Sequence, residues 1–389
     1  MSEKHEFWNN QPVTQMGEKV DEEGPVEVVT LDKVQPEPYA IATSFEWWTP
    51  KISDDGDLQQ IYELLRDNYV EDSGSMFRFN YSKDFLKWAL APPDYIPEWH
   101  VAVRKKSDKK MLAFISGIPL TTKMGSTTKR ICEINFLCIS KNLRDKRLAP
   151  ILIKEVTRRV NLCDIWQAVY TAGKVIPTPF CSASYHHRSL NPEKLIAVNF
   201  SRIPRQYERF AKPMEIVKKT YNLPAKVATH ELRVMKKEDI AQVAALLNSY
   251  VGNYRVAPSF TEDEVKHWIM PRKGVVFTYV VEKEGVVTDF VSFYSLPSTI
   301  IGHPKYDQLN AAYVYYYAAK TVPLKVLMND MLIKARDEKF DVCNCVNILR
   351  NEDMLTDLKF MPGDGSLHYY FYNWKFPSAQ PQEIALVML

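Results

Sequence analysis

Four cationic side chains, Lys141, Arg144, Lys146 and Arg147, crowd one short loop. Before it, Ile134, Phe136 and Cys138 alternate with Glu133, Asn135 and Leu137 as a strand does, and after it Ala149-Pro150 opens an apolar-periodic helix through Ile151, Leu152, Val156 and Val160. Pro150 suits a first helical turn. A strand feeding a basic loop feeding a helix N-terminus predicts an anion site, because unpaired N–H groups and the positive end of the helix dipole converge where the cations gather. Neither GxxxxGK(S/T) nor GxGxxG occurs, which excludes a P-loop and a dinucleotide fingerprint. A pyrophosphate-bearing acyl carrier such as CoA fits the pattern better.

Other reactive residues are weaker signals. Cys138 offers an acyl-accepting thiol, although a Cys inside an apolar run is more often a small buried hydrophobe. His186-His187 offers an acid, a base or a ligand. Cys343-x-Cys345 has the wrong spacing for zinc, so no metal is expected. Tyr170-Thr171-Ala172-Gly173 puts a hydroxyl at a strand end, and Gly363-Asp364-Gly365 reads as a tight turn carrying one carboxylate. The run from Ile384 to Leu389 is apolar to its end and is expected to be buried as a strand.

The elements that must position these groups belong to a large α/β protein. The chain has 389 residues, more than one core usually spans, with 46% hydrophobic and 25% charged residues and only 13 Gly. That excludes fibrous and largely disordered classes. A formal net charge of +3 advertises no nucleic-acid surface. No uncharged apolar run approaches a membrane span, the start lacks a signal-peptide core, and six dispersed Cys argue for reduced thiols in the cytoplasm. Aromatic residues make up 12%, which suits apolar grooves for an extended ligand.

Residues 1–50, punctuated by proline, read as an arm laid over the surface. Beyond it the sequence looks doubled. Leu64-Leu65 with Tyr69-Val70 recurs as Leu246-Leu247 with Tyr250-Val251, Trp88 as Trp268, and the hairpin from Val101 to Ser116 as that from Val276 to Ser292. A fourth shared spacing joins Asn191, Leu195 and Phe200 to Asn351, Leu355 and Phe360. Each half, 51–203 and 204–389, reads helix, helix, hairpin, strand, helix, strand, helix, strand, an α/β unit around a mixed sheet.

Taken together, Glu133-Ile134-Asn135-Phe136-Leu137-Cys138, Leu143-Arg144 with Lys146 to Pro150, Tyr170 to Gly173, Phe77 to Tyr81 and Gly363-Asp364-Gly365 resemble the protein N-myristoyltransferase family. The resemblance runs from Phe7-Trp8 and Gln11-Pro12-Val13 to the apolar end. It implies two acetyltransferase-like (GNAT) halves related by a pseudo-twofold axis around a saddle-shaped sheet, the first binding myristoyl-CoA and the second most of a peptide. The implied reaction is direct transfer of myristate to the α-amino group of an N-terminal glycine, with no resident cofactor or metal. A monomer acting on glycine peptides and nascent proteins is expected, with no nucleic acid and no membrane span. A non-catalytic acyl-CoA or lipopeptide-binding module of the same fold is the alternative, and a short-chain acetyltransferase is a further rival.

By the same resemblance, the N–H groups of Phe136 and Leu137 form the oxyanion hole, Asn135 and Thr171 hold the glycine amine, and the terminal carboxylate of Leu389 is the base. Acyl-CoA falls to Phe7, Trp8, Cys138, Ile139, Arg144, Asp145, Lys146, Arg147, Leu148, Ala149 and Pro150. The peptide falls to Phe79, Tyr81, Tyr185, His187, Ser298 and Tyr313, with Glu71, Asp72 and Asp364 facing basic substrate residues. Asp145 stands where the family usually has Ser, Ser184 where Arg is common and Met361 where Gly is, and the acidic run ends early at Gly74.

Overall fold

The computed structural model describes residues 6–71 and 74–389. Its core is a 13-stranded mixed sheet. From one edge the strands run Phe45–Trp48, His100–Lys105, Met111–Met124, Thr127–Ile139 and Ala168–Ala172, then Met361–Tyr372 and Cys181–Ser189. They continue through Val342–Val346, Ala311–Ala318, Val286–Ser295 and Val276–Lys283 to Leu232–Val234, and the thirteenth, Val256–Pro258, pairs off this path with Met111–Met124. The order is palindromic. In each half an antiparallel hairpin leads to a strand, and a helix (Leu148–Asn161 or Leu324–Asp337) crosses over to a parallel neighbour. The last strand of each half then leaves its own half. Met361–Tyr372 pairs with both Ala168–Ala172 and Cys181–Ser189, and Cys181–Ser189 pairs with Val342–Val346.

The helices form where apolar spacing and caps coincide. Asp54 accepts from Asp57 N–H at 2.9 Å to open Asp55–Asn68, whose Leu58, Ile61, Leu64 and Leu65 are buried. Ser82 caps Lys83–Leu90 in the same way. The recurring Trp residues meet across the two halves: Trp88 and Trp268 pack edge to face at 5.1 Å. Trp88 Nε1 donates to His267 O at 2.9 Å, and His267 Nε2 lies 2.7 Å from Trp88 O. Among the described residues the arm, expected over 1–50, holds two short 3-10 turns but ends in the edge strand Phe45–Trp48, which belongs to the sheet; Val13 is buried and Asn373 N–H donates to Pro12 O.

Three sequence expectations need correction. Between Ala168–Ala172 and Cys181–Ser189 there is no helix, and the connection holds Pro177 and Pro179, which cannot donate to a helical ladder. The shared spacing at Asn191 and Asn351 is not part of the repeat. Helix Pro192–Ala197 follows the last strand of its half, whereas Glu352–Leu355 precedes the last strand of the other. Both simply close a turn alike, Phe200 N–H to Leu195 O and Phe360 N–H to Leu355 O. The tail, finally, is buried but is not a strand. Only Ile384 makes a bridge, to Val256.

Side chains and loops take the place of a ladder for that tail. Ile384 O accepts from Leu349 N–H, Ala385 N–H donates to Val256 O, Tyr369 Oη donates to Leu386 O at 3.1 Å, and Val387 N–H donates to Tyr316 Oη at 3.1 Å. Tyr369→Phe should therefore orphan the Leu386 carbonyl in the core and cost about 1 to 3 kcal/mol of stability, read by urea unfolding. An unchanged midpoint would show that this hydroxyl does not hold the tail.

Candidate functional site

Strands Thr127–Ile139 and Ala168–Ala172 are parallel partners only at Cys132↔Ala168 and Glu133↔Val169. Beyond that level they continue without pairing to each other, so they splay and open a cleft. On its other side Thr127–Ile139 pairs with Met111–Met124, and there it carries an extra residue: Phe114 faces Cys138 while Ser116 faces Asn135. The bulge falls at Phe136-Leu137, and Phe136 takes φ 56°, the left-handed region that a bulky residue adopts only when its surroundings enforce it. The enforcement is aromatic: the buried Phe136 ring packs against Tyr81 at 5.1 Å and Tyr69 at 6.2 Å.

Asn135 sits at the throat of this cleft. Its Oδ1 accepts from Phe136 N–H at 2.8 Å, and its Nδ2 donates to the terminal carboxyl of Leu389 at 2.7 Å. Thr171, on the other lip, is opposite Tyr369. Trp8 from the arm stacks on Tyr170 at 5.7 Å, next to Thr171, with Phe7 edge-on at 5.1 Å.

A cavity of about 330 Å³ opens on one side, lined by Asn68, Tyr69, Val70, Glu71, Leu137, Cys138, Ile139 and Arg144. Cys138 is a wall rather than a nucleophile: its Sγ is 3.7 Å from Leu64 O, and burial pushes the thiol up to about 12. The basic segment Lys141–Lys146 is a 3-10 helix, and helix Leu148–Asn161 starts after Arg147 at φ 54°, two residues ahead of Pro150. Arg144 is tied back to Asn68 O at 2.6 Å. Asp145, Lys146 and Arg147 are exposed and take part in no ion pair among the described residues, so the two cations are free for an anion at this helix start. Leu148 is buried, and Ala149 and Pro150 are half-buried beside it.

Tyr81, Phe79, Tyr185, Tyr294 and Tyr313 form an aromatic wall on the other side. The Phe79 ring lies 6.1 Å from that of Tyr81, and Tyr294 stacks on Tyr313 at 5.2 Å. Ser298 pairs opposite Phe79, joining a small second sheet to this wall. His187 Nδ1 lies 2.7 Å from Asn344 Oδ1, and burial lowers its pKa more than Asn344 and Asp364 raise it, which keeps the ring neutral at neutral pH. Gly363-Asp364-Gly365 is not an isolated turn, as expected, but a bulge within Met361–Tyr372, between Met361↔His187 and Ser366↔Ser184. It curls over the wall: a Cβ on Gly363 would come within 2.3 Å of His187 Nε2, and one on Gly365 within 3.2 Å of Tyr185 Cδ2. Asp364 between them is exposed.

Glu71 is engaged by the protein itself, donors Arg78 Nη2 and Lys141 Nζ lying 2.6 and 2.7 Å from its Oε1. Asp72 lies outside the described residues. The groups that sequence reasoning did not single out are Asn68, Tyr294, Asn344, Tyr316, Tyr369 and the side chain of Glu133. Only Glu133 carried a signal, the two-residue spacing from Asn135 that puts both on one face of a strand. Among the described residues no group of His, Cys, Asp and Glu could hold a metal ion, and no helix is long and apolar enough to cross a membrane.

Residues 25–183 match the family described as myristoyl-CoA:protein N-myristoyltransferase, N-terminal domain, and residues 197–387 match its C-terminal domain. The chain is 48% identical to glycylpeptide N-tetradecanoyltransferase 1 of Arabidopsis thaliana, over 99% of this chain and 89% of that protein. It is also 48% identical to a probable glycylpeptide N-tetradecanoyltransferase of Caenorhabditis elegans, over 100% and 86%. The crystal structure of Saccharomyces cerevisiae N-myristoyltransferase with bound myristoyl-CoA superposes with a TM-score of 0.94 at 39% identity, covering 100% of both chains.

Lys141 and Arg78, Lys141 first, hold the Glu71 carboxyl down at about 2. A depressed carboxylate stabilises the fold above its unfolded value and stops doing so as pH falls through the folded one. The thermal stability advantage of the wild type over Glu71→Gln should therefore be full above pH about 4.5 and shrink toward pH about 2. A constant difference across that window would rule out the ion pair as its source.

Proposed function

Because the chain belongs to the myristoyl-CoA:protein N-myristoyltransferase family, with both domains represented, we propose that it transfers myristate from myristoyl-CoA to the α-amino group of N-terminal glycine. The observation that carries this reading is the meeting, on one Asn135 side chain, of the Phe136 bulge and the carboxyl of Leu389 inside a splayed cleft. Myristoyl-CoA is the co-substrate, its phosphates taken by Lys146, Arg147 and the helix start at Leu148 to Pro150, its acyl end passing Leu137, Cys138 and Ile139. Arg144, fastened to Asn68, shapes that side, Asp145 opposes the anion, and Phe7 and Trp8 close the arm over Tyr170. Glycine-initiated peptides and nascent proteins are the partners, and the reading places a monomer in the cytoplasm. The acyl donor belongs to the half 51–203, and the half 204–389 brings Tyr294, Tyr313, Ser298 and Asp364 to the peptide side opposite Phe79, Tyr81, Tyr185 and His187 of the first, with 1–50 as the arm.

The chemistry follows from the amine. Its reference pKa is about 7.7 to 8.0, so at neutral pH most of it is protonated and a base must act. The Leu389 carboxylate takes that proton while Asn135 and the Thr171 hydroxyl hold the nitrogen. The free amine attacks the thioester carbon, and negative charge develops on oxygen. Leu137 N–H, which has no register partner, donates to that oxygen. Phe136 N–H, already given to Asn135 Oδ1, donates through a shared bond. Donors of this kind contribute about 100 to 1,000-fold each in rate. Collapse expels the CoA thiolate, which takes a proton from the new amide nitrogen.

Tyr81, Phe79, Tyr185, Ser298, Tyr313 and His187 line the path of the peptide, and exposed Asp364 selects for basic residues along it, a role shared by Asp72, which lies outside the described residues. Glu71 acts instead on Lys141 and Arg78, coupling the acyl-CoA loop to the peptide side.

Two outcomes test the reading. A peptide beginning with Gly should be acylated by myristoyl-CoA in a mass-spectrometric assay and the matching Ala peptide should not, because a Cβ pushes the amine away from the thioester; equal rates would overturn the amine site. Extending the chain past Leu389 by a few Gly and Ser residues turns the carboxylate into an amide. With intact mass confirming the extension, that protein should bind acyl-CoA normally and lose most single-turnover transfer. Full transfer would exclude the terminal carboxylate as base.

A further inference from the structure

Glu133 is a carboxylate that the transfer reaction, as just described, does not use. It lies two residues before Asn135 on the same strand, so both side chains leave the same face. Its level, Glu133↔Val169, is the last paired rung before the strands splay. Glu133 and Leu389 line one small cavity of about 30 Å³, together with Phe260, Trp268, Tyr316 and Leu386. A single water needs roughly 10 to 15 Å³. The cavity therefore has room for one or two, and Glu133 and Leu389, which each carry a carboxylate, both line it.

We infer that Glu133 is a positioning residue of the transfer: across water in this cavity it shares with the Leu389 carboxylate the proton taken from the amine. The inference rests on the reading of Leu389 as base. No cation or hydrogen-bond donor among the described residues meets the Glu133 carboxylate, and burial alone pushes it up to about 7, so it exchanges protons at neutral pH. A structural carboxylate in such surroundings would be paired, since an unpaired buried charge is costly.

The titratable groups that face Glu133 are held neutral or are engaged elsewhere. Tyr315 and Tyr316 from the Ala311–Ala318 strand and Tyr369 from Met361–Tyr372 are pushed upward by burial first and by Glu133 as a lesser cause. Burial does the same to Cys132 beside it. Glu264 of helix Glu262–Trp268 also lines the cavity, but its Oε2 accepts from Thr261 N–H at 2.8 Å. An ionised Glu133 raises the proton affinity of the Leu389 carboxylate, and the pair holds one proton more readily than either carboxylate would alone.

In the step itself the ammonium gives one proton to the pair and its nitrogen lone pair forms the N–C bond. The C–S bond breaks, and the thiolate takes the second nitrogen proton. The products are amide and CoA thiol, with one proton on the carboxylate pair that passes to solvent when they leave.

The test uses the full-length enzyme. In single-turnover transfer to one Gly peptide, Glu133→Gln should move the acidic limb of the pH–rate profile to lower pH by about one unit. Its plateau should fall by up to about tenfold, because the remaining base is weaker, with the dissociation constants of both substrates changed by less than about twofold. A profile superimposable on that of the wild type overturns the proposal. So does a loss that is uniform with pH and accompanied by weakened acyl-CoA binding. Should Glu133→Gln not fold, Glu133→Asp serves for the same profile, with the limb again displaced. Carbon-13 carboxyl NMR of labelled Glu gives a reading independent of activity: the Glu133 midpoint should fall by about one unit in the tail-extended protein. Lost transfer there with an unmoved midpoint removes only the coupling, whereas undiminished transfer there removes the base itself.

Discussion

The Asn135 carboxamide is the interaction on which the rest of this molecule turns. One end of it holds the N–H of a residue in a left-handed bulge, and the other holds the carboxyl of the last residue. Neither position is stable by itself. A Phe at positive φ costs of order 1 to 3 kcal/mol unless its environment over-determines it, and a carboxylate inside an apolar sheet needs a donor. The amide meets both needs with one side chain, and the aromatic packing of Tyr69, Tyr81 and Phe136 keeps the bulge from relaxing. The donor side of the cleft and its basic side are thereby fixed to each other.

Duplication explains why such a cleft exists. In each half a helix carries the chain over to a parallel strand, and parallel strands that pair at only a few rungs open a gap beyond them. Only the first half equips its gap with the bulge and the basic helix start. The second half lends its exchanged strand, the Tyr294 and Tyr313 part of the aromatic wall, and its tail. Asymmetric use of a symmetric frame puts the acyl donor and the acceptor on opposite sides of one opening.

Much of this was legible from residues alone, and what was missed shares a cause. The strand to basic loop to helix passage around Arg144, the paired hairpins and the burial of the tail follow from local pattern. The bulge at Phe136 does not, because nothing in the preferences of Phe suggests positive φ; it arises from a register mismatch with a partner strand. The tail reads as a strand because its side chains are apolar, yet its backbone partners are Leu349 N–H, Val256 O and the hydroxyls of Tyr316 and Tyr369, which local pattern does not bring to it. Gly363-Asp364-Gly365 reads as a turn for the same reason: glycine says that backbone comes close, not to what. Glu71 reads as a free acid until Arg78 and Lys141 are seen beside it.

The exchanged strands also set a clock on biosynthesis. Cys181–Ser189 and Ala168–Ala172 wait for Met361–Tyr372, which is made roughly 180 residues later. At about 5 to 20 residues per second of synthesis, the first half stands for about 10 to 40 s with two inner edges unpaired. Open edges are templates for wrong partners, so the nascent first half is the stage at which this protein depends most on being shielded.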